Sequence, residues 1–118
     1  MNLRLVDYPA AIASFEQKLA YTNRQIRTLQ AAIAETESKA DRAIAFDGSL
    51  KNDLQRKTKR AEILEDDAGY CRIALDCQSA IDRRSDLEIE INQLRSEFGV
   101  AKLERQHNTA TLMASYSG

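Results

Sequence analysis

Residues 12–43, IASFEQKLAYTNRQIRTLQAAIAETESKADRA, decide the fold. Steps of three and four through this stretch land on Ile12, Phe15, Leu19, Thr22, Ile26, Leu29, Ile33, Thr36, Ala40 and Ala43. That is an apolar seam with a seven-residue repeat, the spacing that keeps one stripe of a helix turned toward a neighbouring helix. A helix of this length, roughly 50 Å at about 1.5 Å per residue, has no means of covering the stripe by itself. It must lie against another long helix, from the same chain or a second copy. Thr22 and Thr36 interrupt the seam with polar layers that help to set register.

Working outward, MNLRLVDY (residues 1–8) reads as a short arm with apolar Leu3, Leu5 and Val6. Pro9 then falls in the first helical turn, where its missing N–H costs nothing. The first helix is predicted over about 9–45, and Ala31, Ala32, Ala34 and Ala45 add a small-residue surface beside its seam. Phe46-Asp47-Gly48-Ser49 reads as a turn with Ser49 as the N-cap of the next helix, over about 50–65. Leu54, Ala61 and Leu64 form that helix's expected apolar side, with the Lys57 stem packed among them.

At Glu65-Asp66-Asp67-Ala68-Gly69 the pattern loses phase. A break with Asp66 or Asp67 capping the next helix is favoured over one continuous helix. The last helix is predicted over about 68–106, with a seam of Ile73, Cys77, Ala80, Arg84, Leu87, Ile91, Leu94, Phe98 and Ala101, and with Ile81 and Ile89 widening the apolar face. Residues 107–118, HNTATLMASYSG, carry no charged side chain and read as a mobile tail from which Leu112, Met113 and Tyr116 are free to dock on a partner.

The expected fold class is therefore all-α: long helices in an antiparallel helical hairpin or three-helix arrangement, coiled-coil-like, forming a single elongated domain over 1–106. Composition agrees, with one Pro, four Gly, no Trp and only 6% aromatics among 118 residues. Gly and Pro are too few to punctuate a sheet protein, and large side chains too few to fill a globule. The packing seam that a second copy would complete is assigned to Ile12, Phe15, Leu19, Ile26, Leu29, Ile33, Leu87, Ile91, Leu94 and Phe98, and a homodimer is the expected assembly.

The charge balance excludes a whole-chain electrostatic role. Seventeen basic and eighteen acidic residues leave a net charge of −1, and no long segment is polarised toward nucleic acid or an anionic membrane. Cys71 and Cys77 lie six residues apart; on a helix that is about 9 Å of rise, beyond the roughly 7 Å between Cα atoms that a disulfide spans. They read as small buried hydrophobes in a reducing compartment. The N-terminal stretch lacks the apolar run of a signal peptide, and no segment approaches the length of a membrane span. The expected location is the cytoplasm.

Catalytic chemistry has no candidate residues. The single histidine, His107, sits beside a polar tail, and no phosphate loop, nucleophile elbow or metal-ligand spacing occurs. Glu62, Glu65, Asp66 and Asp67 lack the ligand order of a calcium loop and read as solvated capping residues. No cofactor or metal is expected. One patch points to a ligand: Lys51, Arg56, Lys59 and Arg60 are candidate nucleic-acid contacts, since the last three share an arc of roughly 100° on one helix. Acidic residues follow closely and no aromatic is interleaved for base stacking, so a solvated ion-paired face is the competing reading.

Asn52-Asp53, Gln55-Arg56-Lys57, Asp67, Tyr70, Leu87-Glu88-Ile89-Glu90, Leu94-Arg95, Phe98 and Lys102-Leu103-Glu104 together make about half of the chain similar to short helical, coiled-coil accessory proteins encoded by phages and mobile elements. The resemblance implies a place among recombination and replication accessory functions and carries no catalytic residue over. Two functions follow as expectations. The first is a non-enzymatic coiled-coil interaction protein, a self-associating scaffold or adaptor acting through a protein partner. The second is an accessory protein of DNA recombination or replication that contacts nucleic acid through the basic helix at 51–60.

Overall fold

The computed structural model describes residues 3–117, and among them the chain is all-α. A 3-10 turn at Leu5–Asp7 leads into three helices: α1 (Tyr8–Ala45), α2 (Asp53–Asp66) and α3 (Ala68–Ser117). Met1, Asn2 and Gly118, at the ends of the expected arm and tail, lie outside the described residues.

Local chemistry sets each boundary. Arg4 pairs with Asp7 at 2.9 Å ahead of α1, and Pro9 occupies its first turn. After Ala45 the backbone tightens, with Asp47 N–H donating to the Ile44 carbonyl at 3.1 Å. The Asp47 carboxylate then accepts from both the backbone N–H and the hydroxyl of Ser49, and these bonds hold it below the usual aspartate range. Ser49 is therefore engaged in the turn and does not cap α2. Asn52 does: its side chain accepts from Gln55 N–H at 2.9 Å, while Gln55 Oε1 accepts from Lys51 N–H at 2.7 Å. This reciprocal arrangement satisfies two backbone donors at once, and it starts α2 at Asp53 rather than at about residue 50.

The break before α3 is a single residue. Asp67 leaves helical geometry with φ −87° and ψ 99° and closes α2. Its carboxylate accepts from Tyr70 N–H at 2.9 Å, so the same residue caps the helix that follows. Gly99 does not interrupt α3, and the segment read as a tail continues the helix to Ser117. Its hydroxyls fold back onto the helix: Thr111 donates to the His107 carbonyl at 3.0 Å and Ser115 to the Leu112 carbonyl at 2.8 Å. With no Gly or Pro between 100 and 117, the segment lacks the two residues that interrupt a helix most strongly.

Two compact units make up the chain: Met1–Tyr21 with Arg84–Gly118, and Thr22–Arg83. The first is built on antiparallel helices, since Tyr8 stacks on Phe98 with ring centroids 5.5 Å apart and Glu16, further along α1, meets Arg95 at 3.3 Å. Tyr8, Leu87, Ile91 and Leu94 are buried there, with Ile12, Phe15, Leu19 and Phe98 half-buried.

The second unit is a three-helix arrangement whose buried residues are Thr22, Ile26, Ala40, Ile44, Leu64 and Cys77. Its α1 seam ends on Ile44, and Ala43, the expected final position, is exposed. A straight helix at 3.6 residues per turn drifts about 20° per heptad from a strict seven-residue repeat, so the stripe slips by a position over its length. Thr36 satisfies its hydroxyl on the Ala32 carbonyl at 3.2 Å, within its own helix.

The inward side of α2 also departs from expectation. Leu64 is buried and Arg56, Arg60 and Ile63 are half-buried, while Leu54 is 75% exposed and Ala61 and Lys57 face solvent. At 100° per residue this is a rotation of roughly 90° from the expected face.

Candidate interaction surface

The seam residues are used within the chain. Ile26, Leu87, Ile91 and Leu94 are buried, and Ile12, Phe15, Leu19, Leu29, Ile33 and Phe98 are each half-buried. Helix packing within the chain thus buries or half-buries every residue assigned to the packing seam.

The rotation of α2 is accompanied by a charged cluster that the heptad pattern did not reveal. Arg60 Nε lies 2.7 Å from Asp41 Oδ1, and its Nη2 lies 3.4 Å from Glu37 Oε2. Tyr70, on the first turn of α3, donates its hydroxyl to Glu37 Oε1 at 3.0 Å. Glu37 thereby ties α2 and α3 to α1. The hydrogen bond to Glu37, partial burial and the Glu37 charge all push the Tyr70 phenol above its ordinary value, while the bond to Asp41 holds the Arg60 guanidinium firmly charged. The sequence held a signal for this cluster: Glu37 and Asp41 sit one helical turn apart, able to meet one cation from a neighbour.

The other basic candidates are also matched by acids. Arg56 Nη2 meets Asp53 Oδ1 at 2.7 Å and Lys59 Nζ meets Glu62 Oε2 at 3.8 Å; Lys51 is exposed near the start of α2. Arg56, Lys59 and Arg60 thus each face a carboxylate, and each neutralised pair weakens the local potential available to a phosphate backbone. Cys77 is buried as expected, whereas Cys71 is exposed, and both are free thiols. Among the described residues no group of three or more His, Cys, Asp or Glu gathers as metal ligands, and no helix is long and apolar enough to cross a membrane.

Large apolar side chains are left outside on α3. Ile89, Val100, Leu103, Leu112, Met113 and Tyr116 are all exposed, Tyr116 at 88%. They fall on two faces. Ile89, Val100 and Leu103 lie opposite the seam, whereas Leu112 and Tyr116 extend the seam itself beyond Phe98 and Ala101, with Met113 beside them. Beyond the Tyr8–Phe98 stack, where Lys102 Nζ sits 4.4 Å over the Phe98 ring, an open groove of about 470 Å³ is lined by Leu5, Lys102, Arg105, Thr109 and Met113. On the other side of Tyr8, one carboxylate oxygen of Glu97 is buried without a hydrogen-bond partner. Burial, with the Glu97 and Glu104 charges, pushes the Tyr8 phenol up.

The chain has no match among protein-family models, and neither curated proteins nor solved structures show significant similarity to it.

Proposed function

We propose that the protein is a non-enzymatic interaction module, a self-associating scaffold or adaptor that acts through a protein partner. The observation that carries this reading is the exposed apolar cluster of Leu112, Met113 and Tyr116 on α3, which continues the packing seam of the helix beyond the part that α1 covers. Contiguous apolar surface of this kind is costly to hold in water, and burial against another protein removes that cost. The expected assembly is a homodimer, and the expected setting is the cytoplasm, in keeping with two free thiols. The resemblance to phage and mobile-element accessory proteins suggests an adaptor serving recombination or replication machinery. Light scattering across a wide dilution series tests the reading. A dimer that dissociates on dilution supports it, and a monomer at every concentration overturns it.

A further inference from the structure

We infer that the partner face is the C-terminal part of α3, residues 101–116, and that its occupant is the same segment of a second copy running antiparallel. The inference rests on the self-association proposed above and names the surface that performs it. Three features of the helix carry it.

The first is continuity with a packed interface. The seam that α1 covers at Leu94 and Phe98 runs on through Ala101, Arg105, Thr109, Leu112 and Tyr116 in the same steps of three and four. α1 starts at Tyr8, which stacks on Phe98; further along this face Leu112 and Tyr116 are exposed, and the open groove lined by Leu5, Arg105, Thr109 and Met113 lies beside them. A helix entering there in the direction of α1 would extend the existing antiparallel packing, and the equivalent α3 segment supplies a helix of the right length and apolar pattern.

The second feature is charge. From Gln106 to Ser117 the helix carries no Asp, Glu, Lys or Arg, so two copies meet there without like-charge repulsion. Antiparallel pairing about a two-fold axis near residues 110 and 111 sets Arg105 of each copy opposite the uncharged Tyr116 of the other. Parallel pairing would instead place Lys102 and Arg105 of the two copies side by side, with like charges opposed. The charge pattern selects the antiparallel arrangement.

The third is area. Covering Leu112, Met113, Tyr116 and the stems of Lys102 and Arg105 would remove roughly 500 Å² from each copy, about 1,000 Å² for the pair, near the lower edge of a stable specific interface. In this register Tyr116 of one copy reaches the groove beside Arg105 and Leu5 of the other, and Leu112 lies level with Thr109.

Sedimentation equilibrium on the full chain tests the surface. Leu112→Asp should raise the dimer dissociation constant at least tenfold while leaving the helical circular dichroism intact, because Leu112 is exposed within the single chain. Ile89→Asp, on the opposite face, should leave the dimer unchanged. Tyr116→Lys should also dissociate it, by setting a second cation beside Arg105 of the other copy, and adding Arg105→Glu to that variant should restore it. A parent chain that never dimerises overturns the self-association itself. A parent dimer that survives both Leu112→Asp and Tyr116→Lys overturns this surface alone, and failure of Arg105→Glu to restore the dimer overturns the antiparallel register.

Discussion

Leu94→Ala probes whether the α1–α3 packing has the weight that its burial implies. Leu94 is 1% exposed and, with Leu87 and Ile91, lies on the buried face of α3. Truncating a buried leucine to alanine removes its transfer free energy and leaves a cavity, a loss of about 2–5 kcal/mol depending on how far the surroundings collapse. Here Ile12, Phe15, Leu19 and Phe98 are only half-buried, so neighbours have room to close the gap, and about 2–3 kcal/mol is the expected cost. For a chain of 118 residues that corresponds to a fall in Tm of roughly 10 °C. The contrasting change is Leu103→Ala, nine residues along the same helix but 66% exposed, where the shift should stay within about 0.5 kcal/mol. Thermal melts followed by circular dichroism at fixed protein concentration measure both. Equal destabilisation by the two substitutions, or none by Leu94→Ala, would refute the assignment of Leu94 to the core.

Asn52→Ala removes the cap of α2 and leaves Gln55 N–H without its acceptor, so a loss of about 1 kcal/mol is expected in urea unfolding; an unchanged midpoint would remove Asn52 from that role. Tyr70 should ionise above its ordinary value of 10.0 because its hydroxyl donates to the Glu37 carboxylate and partial burial opposes the phenolate. A raised folded-state value means that this contribution to stability is complete below pH 10 and is lost as pH rises through the folded value. Ultraviolet titration of Tyr70→Phe against the parent should lose amplitude from the high-pH component, which Tyr8 then supplies alone, and loss of a component at the ordinary tyrosine value instead would refute the shift. Nucleic-acid binding should be weak even at low salt, since Arg56, Lys59 and Arg60 already face carboxylates. Fluorescence anisotropy with single- and double-stranded oligonucleotides measures this, and tight binding with a log–log salt slope steeper than about −2 would show that the three cations grip phosphates instead.

Much of this architecture was legible in the amino-acid order because it depends on local spacing. The absence of Gly and Pro between Ala10 and Asp47, the three-and-four rhythm from Ile12 to Ala40, and the acidic pair before Gly69 specify long helices, their packing stripes and the break at Asp67. Each is a property of one helix or one turn, readable without knowing its neighbour. The features that needed the tertiary structure depend on what a helix meets. Whether the stripe ends on Ala43 or Ile44 depends on accumulated helical drift against a particular neighbour. Which side of α2 turns inward is a contest between Leu54 and Leu64, and in the folded chain Leu64 faces the core while Arg60 reaches Asp41 and Glu37 across nineteen and twenty-three residues of sequence. The same holds for the segment after Gln106: its composition reads as a tail, but a helix already running through Ala101 adds one hydrogen bond for each further residue it orders, with no new nucleation cost, so α3 extends to Ser117. Sequence by itself determined the helices and their apolar stripes, because backbone hydrogen bonding and side-chain period are local. Tertiary structure decided which stripes are covered and which, at Leu112, Met113 and Tyr116, stay exposed, because burial depends on the surface that arrives opposite.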